Sequence, residues 1–429
     1  MKKPELLLPA GSTERLRCAL LYGADAVYAG LPGFSLRSSE NAEIDFTDIK
    51  DNVKYVHDRG KKIYLTLNLF AKDREFKNLP RILDIVRETE PDGLLIADPG
   101  VFYYVSEYKR KNRLSTPLFI STQANVCSSH AVKFWQNMGA ELCVLARELS
   151  SEDIKIIREE CPDMKLEIFI HGAMCISYSG RCLMSAFMAG RSANRGKCAH
   201  SCRWHYTATM VEDKRPDETY IMEEDEHGSY IMNSKDMNLM LCLSKVLSLG
   251  LDSLKIEGRN KSEYYVSTAA RAYRNAIDDY FSNPDGFDPS PYAAELDTLH
   301  NRGYTDGFFN HAPNGNSQKY EHTQSTSAWL YAGYVKETIT DGFVFAVKNK
   351  IFKNDEIVFL SPNGMVNITL KIDEIRPVKP HKNNPMPTEI SPSPQGSDII
   401  IRFSDFGEMA ETAKKHVATL MVARKKNNL

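Results

Sequence analysis

No apolar run in the 429-residue chain approaches the roughly 18 residues that a membrane span needs, so no membrane partner is expected. Excess charge is also missing. The 54 Lys and Arg against 56 Asp and Glu leave a net charge of −2, which gives no global attraction to nucleic acid. Protease signatures are absent as well: no HisGluxxHis zinc site, no nucleophile elbow and no Cys-His protease motif occurs, so the motifs lend proteolysis no support. The opening MKKPELLLPAGSTERL holds a short apolar stretch broken by Pro9 and Gly11 and followed by charge, which does not read as a signal peptide. A soluble cytoplasmic protein is the expectation, and structural disulfides do not suit that compartment.

Cysteine, by contrast, is not scarce. Four of the nine lie in one stretch, with Cys175, Cys182, Cys198 and Cys202 spaced C-x6-C-x15-C-x3-C. Thiolates gathered on one connection repel one another and oxidise readily, so such a group points to a bound cation that lowers the thiol pKa values. An iron-sulfur cluster is the first reading. Zinc favours tighter C-x2-C pairs, which only Cys198 and Cys202 approach, and a redox or uncoordinated thiol group is the third possibility. Cys18, Cys143, Cys161 and Cys242 sit in or beside apolar-patterned segments and read as small core residues, with Cys127 as a reserve ligand.

Acids are absent from the same stretch. Between Glu167 and Glu212 there is no Asp or Glu, whereas Arg181, Arg191, Arg195, Lys197, Arg203 and three histidines are present. This is an island of positive potential suited to an anionic substrate or an RNA phosphate, or one that only balances a thiolate cluster.

Short apolar runs alternate with amphipathic stretches through the first two thirds of the chain. Strands are expected at Glu5 to Ala10, Ala26 to Gly30, Lys62 to Asn68, Gly93 to Asp98, Leu118 to Gln123, Leu142 to Arg147, Leu166 to His171 and Asp252 to Glu257. Helices are expected between most of them, including Ser128 to Met138 and Ser151 to Glu160, each opening on a Ser suited to an N-cap, and a long closing helix from Ser262 to Phe281. This order predicts an α/β fold with a TIM-like (β/α)8 barrel, with a doubly wound open sheet as the alternative. The expected domains are a barrel over 1–285 with the Cys-rich segment 173–206 inserted, a linker over 286–327 and a small all-β barrel over 328–429. Barrel active sites lie where strands end. Asn68, Asp98, Gln123, Asn125, Arg147, Glu148, His171, Glu257 and Arg259 collect there, and the cysteines follow the seventh strand directly.

Three passages make the chain familiar: EIFIHGAMC, SGRCLMS and GKCAHSCRW, together with PELLLPAGS, DAVYAG, NSKDM and LKIEGR. They resemble the collagenase-like peptidase family U32, and within it the branch connected with tRNA hydroxylation. That resemblance implies oxygen-independent conversion of a wobble uridine to 5-hydroxyuridine, with prephenate as the hydroxyl donor, tRNA as substrate and a family paralogue as a potential partner. It also implies a [4Fe-4S] cluster held by Cys175, Cys182, Cys198 and Cys202. Several relatives carry a cluster cysteine two residues after the LysAsp pair, where this chain has Asn238. Cys202 is then the natural fourth ligand; otherwise one iron is open to another group. Paired cations suit a dicarboxylate. The candidates are Arg37, Arg147, Arg181 and Arg259, with His171 and Glu257 for proton transfer and with Arg203 and Trp204, beside His205 and Tyr206, for a base taken out of its stack. A peptidase, a hydroxylase of ribosomal RNA or quinone, and an RNA-binding factor with a structural cluster remain as alternatives.

Overall fold

The computed structural model describes residues 2–35, 46–175, 177–195, 197–204, 209–212, 215–221, 234–311, 325, 327–379, 387–391 and 396–427. Eight parallel strands form the first unit: β1 Glu5–Pro9, β2 Ala26–Gly30, β3 Lys62–Leu67, β4 Gly93–Ile96, β5 Leu118–Ile120, β6 Leu142–Val144, β7 Lys165–Ala173 and β8 Ser253–Ile256. Each pairs with the next. β8 pairs with both β7 and β1, so the sheet closes into a barrel. Helices cover its outer face, so the strands are buried on both sides and read as continuous apolar runs; every residue of β2 is buried.

The helices α1 Thr13–Leu21, α2 Phe46–His57, α3 Leu79–Thr89, α4 Pro99–Asn112, α5 Ser129–Asn137 and α6 Ser151–Glu160 follow the first six strands in turn. Their starts follow side-chain chemistry. Ser12, Asp98 and Ser128 each accept a backbone N–H of the first turn. At α6 the cap is Ser150 rather than Ser151, because Ser150 and Asp153 form a reciprocal capping box. In the cysteine segment lies α7 Met184–Ala189, and α8 Leu243–Ser248 precedes β8. The long helix α9 Glu263–Ser282 is capped by Ser262 and buries twelve of its residues.

One irregularity shapes the mouth. β7 runs past its expected end to Ala173, and its register with β8 steps from Phe169 opposite Lys255 to His171 opposite Ile256, leaving Ile170 as the extra residue of a bulge. Gly172 follows at φ +114°, where a Cβ would meet the Glu257 carbonyl oxygen at 2.7 Å.

The C-terminal region is a six-stranded antiparallel half-barrel: β9 Trp329–Ile339, β10 Gly342–Val347, β11 Glu356–Leu360, β12 Asn367–Lys371, β13 Ser397–Arg402 and β14 Val422–Lys426, in the order β12-β11-β14-β9-β10-β13. It has its own apolar centre around Phe343, Phe345 and Phe359. Within the expected linker over 286–327 stands a helix, α10 Ser290–Leu296, which packs on α9.

Several polar connections join the half-barrel to the barrel, among them bonds from Arg271 to the Gly364 and Val366 carbonyl oxygens and from Arg424 to Thr298. Glu295 of α10 accepts from Arg271 of α9 at 2.9 Å and from Arg424 of β14 at 3.0 Å, all buried. The hydroxyl of Tyr22 donates to the Leu360 carbonyl oxygen at 2.7 Å and accepts the Val422 N–H at 3.0 Å. No described helix is long and apolar enough to cross a membrane.

Candidate functional site

Alternation along β7 and β8 puts polar side chains inside the barrel. Glu167 and Lys255, almost wholly buried, pair at 2.8 Å, and Ser253 Oγ donates to the second Glu167 oxygen at 2.8 Å. One layer toward the mouth, the Arg147 Nη2 donates to Glu257 at 2.8 Å while Nη1 donates to the Ala173 carbonyl oxygen at 2.7 Å. Phe169 lies between the layers. The Arg147 guanidinium stands 3.8 Å from its ring centre and the Lys255 ammonium 5.5 Å, with Lys255 also 4.4 Å from the ring of Tyr28. Within each ion pair the cation and carboxylate compensate each other inside an aromatic wall, where a lone charge would cost several kcal/mol.

Arg259 occupies another sector of the mouth. It is buried and donates to Ser35 at 2.5 Å and to Thr66 at 3.1 Å, and those two hydroxyls lie 2.7 Å apart. A Cβ on Gly30 would come within 2.7 Å of its Nη1, so only glycine leaves the guanidinium room at the end of β2. A third sector holds buried Asn68, which donates to Ser121 and to Gln123 at 3.4 and 3.2 Å.

His171 is not among these groups. Opposite Ile256 beyond the bulge, its ring packs against Tyr265 and Tyr273 of α9 and against Tyr304, with centroids 5.4 to 5.9 Å away. Burial lowers its pKa to about 3, against a raising hydrogen bond with Asn238 and a lowering effect of Lys261. The imidazole is therefore neutral, and Nδ1 has no hydrogen-bond partner among the described residues. As a proton-transfer group at the mouth it is out of place, because the bulge turns it toward the helix layer.

The cysteine segment is fastened across the strand ends. Glu148 accepts from the Ser179 N–H and, at 2.7 Å, from its hydroxyl, and Arg181 Nε donates to the Gln123 carbonyl oxygen at 3.0 Å. Tyr178 and Cys127 are hydrogen bonded at 3.2 Å. Within the segment, buried Ser185 donates to the Arg191 carbonyl oxygen at 2.6 Å and accepts the Ala199 N–H at 2.8 Å, while Asn194 accepts the Cys182 N–H at 2.9 Å. Arg37, His205 and Tyr206 lie outside the described residues, as does the side chain of Arg203; Trp204 is exposed.

Cys175 and Cys198 are exposed, Cys182 and Cys202 half-buried, and none is in a disulfide. Among the described residues, no three His, Cys, Asp or Glu side chains are gathered around a single metal ion. A cluster of several irons asks for a different arrangement, since each thiolate binds its own iron. Thiolates are the donors such a cluster takes. Burial tends to raise the Cys182 thiol, yet hydrogen bonds from Ser177 and from the Ser185 and Met184 N–H groups hold it below its ordinary value. The His200 N–H donates to Cys198 Sγ at 3.4 Å.

Neither the Lys255–Glu167 pair nor the Ser35–Thr66 hydroxyls stood out in the sequence. The signal for the pair was present: Lys255 and Glu257 alternate in LKIE, and Glu167 interrupts an apolar strand.

Comparison with known proteins gives a match to the model of peptidase family U32 over residues 11–319. The chain is 38% identical over 410 residues to tRNA hydroxylation protein P of Escherichia coli K12, covering 86% of this chain and 89% of the relative. It is 40% identical over 370 residues to tRNA hydroxylation protein P of Helicobacter pylori J99, covering 85% of each. A protein named collagenase from Porphyromonas gingivalis W83 is 30% identical over 386 residues, covering 87% of this chain and 90% of that one.

Proposed function

Because the chain belongs to peptidase family U32, we propose that it is a tRNA hydroxylase acting at the barrel mouth, with Cys175, Cys182, Cys198 and Cys202 as ligands of a [4Fe-4S] cluster. The relatives named for tRNA hydroxylation support the tRNA part. The wobble uridine, the product 5-hydroxyuridine and prephenate as hydroxyl donor are the finer part of the proposal. The observation that carries it is the fastening of a cysteine-bearing, acid-free segment over strand ends that hold Arg147, Arg259 and Asn68. Bound there, the cluster supplies one-electron redox chemistry or an iron that polarises a ligand oxygen.

The chain's own residues bind and orient. Replacing the C5–H bond of uridine by C5–OH removes two electrons from the base, so the base and an oxidising hydroxyl donor must meet within a shielded cavity. Arg259 and Arg181 give a dicarboxylate cations from two sides of the mouth. Arg147 is already compensated by Glu257, so an incoming carboxylate there must displace that partner. Glu257, buried beside the guanidinium, is placed to accept a proton only when that pair opens. A peptidase reading has the collagenase-named relative behind it, and the sequence supplies none of the protease motifs that would sustain it.

Mass spectrometry of nucleosides from bulk tRNA tests the proposal in a strain deleted for the gene and for any paralogue. Restoration of 5-hydroxyuridine derivatives by the wild-type protein, and not by Cys198→Ala, is the expected result. An unchanged profile in the deletion strain overturns the tRNA assignment; full rescue by Cys198→Ala removes the cluster from the reaction.

A further inference from the structure

Exposed large apolar side chains are concentrated in the cysteine segment. Phe187 is 88% exposed, Leu183 77%, Tyr178 51%, Trp204 41% and Met188 39%. Elsewhere among the described residues such side chains are dispersed, with no more than a pair together, as in Phe134 and Met138 at the end of α5, a pattern soluble proteins tolerate. Exposed Arg181, Arg191 and Lys197 interleave with them, and the sequence has no carboxylate from 168 to 211 to offset that charge. Glu148, an acid that holds the segment, is occupied by Ser179.

This surface is built rather than slack. Ser185, in the first turn of α7, donates to the Arg191 carbonyl oxygen and accepts the N–H of Ala199 just after Cys198, Asn194 holds the Cys182 N–H, and α7 packs against the turn Ser201–Arg203 that leads into Trp204. Ser179 and His200 sit at φ +43° and +57°, conformations that non-glycine residues adopt when their surroundings hold them there. Aromatic and apolar side chains presented rigidly among cations suit a partner that has both flat faces and negative charge. Unpaired nucleotides have both: bases stack on the rings while phosphates meet the cations. A protein partner would require acidic groups to match the cations, and a duplex would offer its phosphates but no open base faces.

We propose that Tyr178, Leu183, Phe187 and Trp204, with Arg181, Arg191 and Lys197, form a platform on which the unpaired nucleotides of an RNA loop stack. This rests on the tRNA reading above and adds to it the part of the RNA that is held and the residues that hold it. The platform lies on the segment that bears the thiols, so loop binding and the chemistry occupy neighbouring ground.

Fluorescence anisotropy of the purified full chain with a labelled anticodon stem-loop RNA, and with a duplex RNA of equal phosphate number, tests it across a salt series. The wild type is expected to favour the stem-loop. Phe187→Ala, at a side chain with almost no packing to lose, weakens stem-loop binding about 5- to 150-fold and duplex binding little. The double change Arg191→Gln and Lys197→Gln weakens both RNAs and lowers the slope of log affinity against log salt by about one for each phosphate no longer neutralised. Wild-type affinity of Phe187→Ala for the stem-loop, with wild type binding it well, overturns the platform while the tRNA reading stands, and leaves the face to a protein. Failure of the wild type to bind either RNA overturns both.

Discussion

His171 shows how one residue's surroundings decide its chemistry. Its ring is enclosed by Tyr265, Tyr273 and Tyr304, with Asn238 hydrogen bonded and Lys261 the charged group acting on it. Its pKa in the fold is about 3, below the 6.5 of an exposed histidine. Below pH 6.5 the unfolded chain therefore takes up a proton that the folded chain refuses, and stability falls as pH drops from about 6.5 toward 3. At pH 5 this one group costs about 2 kcal/mol relative to neutral pH. His171→Phe removes the titrating group while keeping a ring among the tyrosines. Urea midpoints at pH 7 and pH 5 should show a smaller acid-induced loss in the variant than in wild type; equal losses would mean that the imidazole already titrates normally in the fold. From the sequence this residue reads as a mouth residue, because strict alternation along Leu166 to His171 carries it to the inner face. The extra residue at Ile170 defeats that count, and bulges leave no mark in hydrophobic periodicity. Arg147 and Glu257 were legible as strand-end residues, but their pairing spans 110 positions and no local pattern contains it.

Among the described residues, Glu148, Gln123 and Cys127 fasten the cysteine segment to the strand ends. Glu148 contributes two of its anchoring hydrogen bonds and Arg181 another. Glu148→Ala leaves the Ser179 N–H and hydroxyl without their acceptor, and should loosen the segment without unfolding the barrel, since neither group belongs to a strand ladder. Limited trypsin digestion is expected to cut the variant at Arg181, Arg191 or Lys197 several times faster than wild type while the barrel fragments persist. Equal cleavage rates would show that the segment is fixed by other contacts. Element existence was the most legible part of the chain. All eight barrel strands lie where alternating apolar runs place them, since burial on both faces demands such runs, and α9 follows its Ser262 cap and helical period. The ends were less legible. Ser150 rather than Ser151 caps α6 because a reciprocal bond to Asp153 decides between adjacent serines. The helix at Ser290 stands in a stretch whose Pro, Gly and Asp read as a break, yet proline is well tolerated in a first helical turn.

At the scale of the molecule, Glu295 links three parts: its own helix α10, α9 through Arg271 and the half-barrel through Arg424. Two buried guanidinium groups share this one carboxylate, so Glu295→Ala leaves both with neutral acceptors, the Gly364 and Val366 carbonyl oxygens and the Thr298 hydroxyl, and without this counter-charge in a poorly solvated junction. The expected loss is about 3 to 5 kcal/mol. Calorimetry should show one cooperative transition for wild type and, for Glu295→Ala, an early transition of the half-barrel separated from that of the barrel. A single transition at the wild-type temperature would mean that the junction contributes no net stability. No sequence pattern announces this junction. Arg271, Glu295 and Arg424 look like surface charges on amphipathic segments, and only the packing of the two units removes them from water.

The same distance between partners bears on how the chain is made. Tyr22 buries its hydroxyl against Leu360 and the Val422 N–H, a partner 400 positions later in synthesis. Barrel closure has the same order, since β1 finds β8 only once residues near 253 have emerged. A ribosome releasing a few residues each second therefore presents the early barrel for tens of seconds with β1 lacking one neighbour and the Tyr22 hydroxyl without its acceptor. During that interval the nascent chain has an open sheet edge, which makes it a natural client for chaperones acting beside the exit tunnel.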